Sequence, residues 1–200
     1  MSYQPHFTVD DVMVRAQPTP NPYAIKFVAN HAFKASGKAT ITHPSELGDS
    51  KLVESLFQVP GVKQLYLHQN TLTVNHEGAM EFEALADQIE GVIKTRLPIH
   101  DPHFKFDDEV DEAKTNTPKD RSQLSEEMRE IEEILDRTIR PGLQADGGDL
   151  EVLELKDNEL KILYMGACGG CPSAMMGTLD AIQNILRHEL GNDSLKVRPV

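Results

Sequence analysis

Asp149-Leu150-Glu151-Val152-Leu153-Glu154-Leu155, a break at Lys156-Asp157-Asn158-Glu159, then Leu160-Lys161-Ile162-Leu163-Tyr164-Met165, and directly after it Gly166-Ala167-Cys168-Gly169-Gly170-Cys171-Pro172-Ser173-Ala174. Apolar and polar residues alternate on both sides of a turn-forming tetrapeptide, which predicts a β-hairpin over 149–165. The glycine-rich loop ends in a proline suited to the first position of a helix. A helix is predicted over 172–190, with Met176, Leu179, Ile182, Leu186 and Leu190 at helical spacing. Gly191 is placed to close it, and Leu195 to Val200 would add a last short strand. Upstream, Leu124, Met128, Ile131, Leu135 and Thr138 or Ile139 recur at three and four, predicting a helix over 122–140. Asp120 and Gln123 could form its capping box, and Pro141-Gly142 is read as its stop. The order α-β-β-loop-α-β gives a two-layer α+β unit over 121–200.

The first hundred residues read as a second small α+β unit. Strands are predicted at Val12 to Gln17, at Tyr23 to Val28 beyond the breaker Pro18-Thr19-Pro20-Asn21-Pro22, and more weakly at Ala39 to Thr42. Helices are predicted at Lys51 to Gln58, stopped by Pro60-Gly61, and at Glu81 to Arg96, with Phe82, Leu85, Ala86, Ile89 and Ile93 on one face. Between them Lys63 to Gln69 and Thr71 to Asn75 form a hairpin, with Leu65, Leu67, Leu72 and Val74 pointing inward. Residues 101–120 are acidic, then small and polar, with too little apolar surface to offset the entropy of ordering. They read as an acidic flexible linker between the two domains.

The formal net charge is −12, split as −2 over residues 1–100, −4 over 101–120 and −6 over 121–200. An acidic chain without a basic stripe repels phosphate backbones, so no nucleic-acid partner is expected. No stretch approaches the roughly 20 apolar residues of a membrane helix. The N-terminus shows neither a basic nor an apolar leader segment. With two unblocked thiols, the expected compartment is a reducing one, by default the cytoplasm.

The chain has two cysteines, Cys168 and Cys171. Placed between a strand and a helix N-terminus, they would face free backbone N–H groups and the positive end of the helix dipole, which favours thiolate. Gly166, Gly169 and Gly170 can turn N–H groups toward sulfur. Two thiolates do not complete a four-ligand site. His188 stands 17 residues beyond Cys171 on the same helix, roughly 25 Å away at a rise of about 1.5 Å per residue. An intramolecular Cys₂His₂ zinc site within this half is therefore excluded. Two copies of the loop would supply the four thiolates of a [4Fe–4S] cluster. A dithiol redox pair, a zinc-bridged dimer and two buried inert thiols stay open beside it.

The neighbouring features have plainer readings. Asp146-Gly147-Gly148-Asp149 is read as a tight connection, or else as a segment that orients the cysteine loop or contacts a partner. Met175 and Met176 are read as helix packing, the scattered histidines as surface residues, and Asp107 to Glu112 as solvated linker.

Arg140-Pro141-Gly142-Leu143-Gln144-Ala145-Asp146-Gly147-Gly148-Asp149, followed by the cysteine loop, resembles the NifU C-terminal (Nfu) domain over about residues 122–200. Thr19-Pro20-Asn21-Pro22, Ile25-Lys26-Phe27, Leu56-Phe57-Gln58-Val59-Pro60-Gly61-Val62 and Leu72-Thr73-Val74 resemble the N-terminal domain of Nfu-type scaffold proteins over roughly 14–97. The resemblance implies assembly and delivery of iron–sulfur clusters by a carrier rather than an enzyme. Cys168 and Cys171 would be cluster and metal ligands, and the cargo a [4Fe–4S] cluster, or a [2Fe–2S] cluster in its place. The implied partners are a second copy in a cluster-bridged homodimer, the iron–sulfur assembly machinery and apo acceptor proteins. A thiol-disulfide oxidoreductase using the same CxxC pair is the alternative from another class.

Overall fold

The computed structural model describes residues 7–48, 50–105, 124–169 and 172–200. Two α+β domains follow one another along the chain, each with its own core. In the first, β1 (Val14–Pro18), β2 (Ala24–Ala29), β3 (Lys34–Ile41), β4 (Val62–Gln69) and β5 (Thr71–His76) form an antiparallel sheet in the order β1-β2-β5-β4-β3. The alternation of the strands decides its two faces. Ile25, Phe27, Leu65, Leu67, Leu72 and Val74 point to one side, where α1 (Lys51–Phe57) and α2 (Phe82–Arg96) close over them. Leu52, Val53 and Leu56 of α1, with Leu85, Ile89 and Ile93 of α2, complete that core. Lys26, Thr73, Asn75, Tyr66 and Lys38 alternate to the other side. Ser50 starts α1 by accepting from the Val53 N–H at 3.4 Å.

The second domain runs α3 (Glu126–Thr138), α4 (Arg140–Ala145), β6 (Gly148–Lys156), β7 (Glu159–Gly166), α5 (Pro172–Leu190) and β8 (Lys196–Pro199). β6 and β7 are the expected antiparallel hairpin, and β8 joins β7 in parallel. Ile131, Leu135, Ile182 and Leu186 pack on Leu150, Leu160 and Ile162. Gly191, at φ +62°, ends α5 as expected. Among the described residues no helix is long and apolar enough to cross a membrane.

The helix expected over 122–140 ends at Thr138, before the dipeptide read as its stop. Pro141 and Gly142 instead lie inside α4, which Ile139 introduces at φ −108° and ψ −53°. A proline one residue into a helix loses no hydrogen bond, so it restarts helix here rather than ending it. The capping pair Asp120 and Gln123 lies outside the described residues, and Ser125 caps α3 by accepting from the Met128 N–H at 3.2 Å. β3 begins earlier than expected, at Lys34, and carries an irregularity between Lys34 and Lys38 where Gly37 turns at φ +68°.

His100 is buried rather than superficial, at 4% exposure. Its Nε2–H donates to the Phe33 carbonyl at 2.7 Å. Beyond it, the Pro102 carbonyl accepts from Ala35 N–H at 2.8 Å and the Phe104 carbonyl from Lys34 Nζ at 2.8 Å. The first five residues of the expected linker thus belong to the first domain, and 106–120 lie outside the described residues.

Candidate functional site

The hairpin of the second domain delivers the cysteine loop. β7 ends at Gly166, whose φ of +61° turns the chain out of the sheet. Ala167 N–H then donates to the Gly147 carbonyl at 3.1 Å and Gly169 N–H to the Gly166 carbonyl at 3.1 Å. Across the hairpin Gly148 pairs with Gly166, so the Asp146–Asp149 segment and the cysteine loop lie against each other. The approach leaves no room for side chains. A Cβ at Gly148 would stand 2.3 Å from Cys168 Sγ, and one at Gly166 would stand 2.4 Å from the Gly147 carbonyl oxygen.

Cys168 is half-buried against the second core. Burial pushes its thiol up to about 12, reinforced by the Asp146 and Asp149 carboxylates. This reverses the expectation of a helix-stabilised thiolate for Cys168. Desolvation first, and then two nearby negative charges, favour the protonated form. Cys171 lies outside the described residues, as do the side chains of Met175 and Met176. Among the described residues no three His, Cys, Asp or Glu side chains group as a metal site.

Asp149 is the polar centre behind the loop and is fully buried. It accepts from Leu150 N–H at 2.7 Å and Gln144 Nε2 at 3.0 Å, pairs with Lys38 at 2.5 Å, and lies 3.7 Å from Arg140 Nε. Arg140 also holds Glu132 at 2.6 Å and Asp136. Burial would weaken the Arg140 charge, but these two carboxylates hold its pKa above the ordinary value. The segment read as a tight connection is therefore both: Gly147 makes the turn at φ +80°, and Asp149 orients what surrounds it.

The other wall of the site comes from the first domain, through Asn21, Lys26 and Thr73 of the motif stretches and through Asn75, none of which the sequence marks as a contact to the loop. Asn21 Nδ2 donates to the Ala167 carbonyl at 3.0 Å, Asn75 Nδ2 to Gly166 at 3.1 Å, Thr73 Oγ1 to Gly147 at 2.6 Å and Lys26 Nζ to Ala145 at 2.5 Å. A cavity of about 50 Å³ beside Cys168 is closed by Pro20 and Asn21 on this side and by Leu143 and Tyr164 on the other. A larger cleft of about 510 Å³ opens next to Gly169, between Tyr23, Asn75, His76 and Tyr164. Thr73 and Asn75 alternate with Leu72 and Val74, which is the pattern of a solvent face. Nothing local in the sequence separates a wetted face from one that meets another domain.

Residues 131–197 match the NifU-like domain family, and residues 14–99 match the N-terminal domain family of the scaffold protein Nfu/NifU. The chain is 29% identical over 183 residues to the protein of Drosophila willistoni named NFU1 iron-sulfur cluster scaffold homolog, mitochondrial, a match covering 88% of this chain and 60% of that one. It is 27% identical over 179 residues to NifU-like protein 5, mitochondrial, of Arabidopsis thaliana, covering 88% of this chain and 64% of that one. The chain thus spans less than two thirds of the length of these curated relatives. Among solved structures, a NifU-like protein from Saccharomyces cerevisiae is 23% identical with a TM-score of 0.38, over 42% of this chain and 76% of that one.

Proposed function

We propose that this chain, whose residues 14–99 match the Nfu/NifU N-terminal family and 131–197 the NifU-like domain family, is a scaffold and carrier for iron–sulfur clusters. The observation that carries the reading is a glycine-rich CxxC loop set between β7 and the 19-residue α5. Cys168 and Cys171 of each of two copies would hold one [4Fe–4S] cluster, with [2Fe–2S] the smaller alternative. The Drosophila willistoni relative is named as an iron-sulfur cluster scaffold homolog, and both relatives are named as mitochondrial. A reducing compartment, cytoplasm or organelle matrix, is the setting that the free thiols require.

The chemistry follows from the thiols. Burial and the Asp146 and Asp149 carboxylates favour the protonated Cys168 thiol, so binding iron as thiolate would release a proton. Gly166, at φ +61°, turns the loop out of the sheet without steric cost, and Gly169 N–H is held by the Gly166 carbonyl. Each copy contributes two thiolates, so an apo acceptor that offers more can replace them one at a time while both domains stay folded. Handing over cargo in this way is carriage, and no substrate is turned over. A thiol-disulfide oxidoreductase needs a thiolate near neutral pH, and a Cys168 thiol held up at about 12 is poorly suited to that role.

Anaerobic reconstitution with iron and sulfide tests the reading. The expected result is about one [4Fe–4S] per two chains, a shift from monomer to dimer on loading, and loss of the cluster in both Cys168→Ser and Cys171→Ser. Activation of an apo acceptor should track the loss of visible absorption from the loaded chain. Full occupancy in a strict monomer, or a cluster that cycles between redox states without leaving, overturns it.

A further inference from the structure

The contacts between the two domains divide by chemistry. Apart from the Tyr66 hydroxyl, which faces the Asp149 carboxylate, the hydrogen bonds described between them run from side-chain donors of the first domain to backbone carbonyls of the second. Asn21, Lys26, Thr73 and Asn75 donate to Ala167, Ala145, Gly147 and Gly166, and Asn75 also reaches Gly169 at 3.4 Å. Lys38 adds the ion pair to Asp149. Four of the carbonyl acceptors, at Gly147, Gly166, Ala167 and Gly169, belong to the cysteine loop or to the glycine segment packed on it.

We propose that the polar sheet face of the first domain is a reversible docking surface for the chain's own cysteine loop, one that shields Cys168 and must be vacated before two loops can face each other. Three observations support reversibility and shielding. Each apolar cluster closes within its own domain, so parting them exposes mainly polar atoms together with the Tyr66 ring that lies against Gly166. Each hydrogen bond of this kind biases the closed form by only about two- to tenfold. The space left beside Cys168 under Pro20 and Asn21, about 50 Å³, has room for no more than a few waters. A cluster and a second chain's thiolates do not fit in that space.

The requirement for vacating the face before loading rests on the cluster reading, but the docking itself can be tested without a cluster. In the full-length apo chain carrying Cys171→Ser, Cys168 is the one thiol, and iodoacetamide labelling reports how often it is uncovered. Thr73→Val removes a donor while keeping the side chain's shape, and Lys26→Glu sets a carboxylate against the Ala145 carbonyl. Together they should raise the labelling rate about tenfold or more and enlarge the radius of gyration in small-angle scattering, with far-UV circular dichroism unchanged. Should Thr73→Val disturb folding, Lys26→Glu alone, on a side chain that reaches the surface, gives the same two readouts. Unchanged labelling, or faster labelling with an unchanged radius of gyration, overturns the proposal. In a parallel reconstitution of chains that keep both cysteines, the same substitutions should speed cluster loading. Failure of every chain to load would count against the cluster reading alone and leave the docking result standing.

Discussion

Replacing Gly148 by alanine is the sharpest test of how the loop is built. The new methyl carbon would lie 2.3 Å from Cys168 Sγ, 2.9 Å from the Cys168 backbone nitrogen and 3.0 Å from the Met165 carbonyl oxygen. Sulfur can swing aside, but the other two atoms are backbone and can yield only if the end of the hairpin spreads. Overpacking of this kind typically costs about 1–3 kcal/mol, and two backbone clashes place Gly148→Ala near 2 kcal/mol. With a urea m-value of about 1–2 kcal/mol per molar, the midpoint for the second domain should fall by roughly 1–2 M. Displacing Sγ also removes part of the burial that holds the thiol up at about 12, so Cys168 should alkylate faster at mildly alkaline pH. Gly177→Ala is the control: nothing lies within 4 Å of its added carbon, and alanine in mid-helix should stabilise by up to about 1 kcal/mol. If Gly148→Ala melts like the parent and labels no faster, the close approach of Gly148 to Cys168 is wrong.

Arg140→Met should destabilise the second domain by about 3 kcal/mol, because buried Glu132 loses the cation that holds it at 2.6 Å, while Asp149 keeps Lys38. A denaturation midpoint within error of the parent would remove Arg140 from the folding core. His100 is held below its ordinary 6.5, first by burial, so protonation favours the unfolded chain. The stability of the first domain should be intact above pH ~6.5 and fall as pH drops from there through the folded value. Melting temperatures against pH should show that slope, and His100→Gln should flatten it only in part, since burial also lowers His68 and His76. Residues 1–105 and 122–200, expressed separately, should each show a cooperative melt, because neither core borrows apolar residues from the other. A molten first fragment would mean that the docking face is needed for folding.

What the sequence disclosed follows the range of the interactions involved. Period-two and helical patterns placed β4, β5, β6, β7, α2 and α5 to within a residue or two, because an amphipathic face is written locally. Pro141-Gly142 misled because proline is a breaker inside a helix but harmless at its second residue, and only tertiary packing places α4 at that point. Lys34 to Lys38 has no alternation to read and is held as strand by β4 and by the carbonyls of residues 102 and 104. Cys168 was legible as a candidate site from its neighbours, but its protonation was not. The carboxylates and the buried setting that hold the proton on come from the folded hairpin, while the helix dipole that argued the other way can be read from the chain. Asn21, Thr73 and Asn75 carry no mark of their contacts, since hydrophilic positions look alike whether they meet water or a carbonyl.

Because the first domain grips carbonyl oxygens, it senses the path of the glycine loop and is indifferent to most side chains along it. Substitutions that preserve that path pass unnoticed at the interface, and those that bend it are felt at several bonds together. Comparing sequences for compensating pairs across this boundary would therefore yield little beyond Lys38 with Asp149. The fit between the halves is stored in the torsion angles of Gly147 and Gly166, so either half could be exchanged for a distant relative's and still dock, provided those two turns are kept.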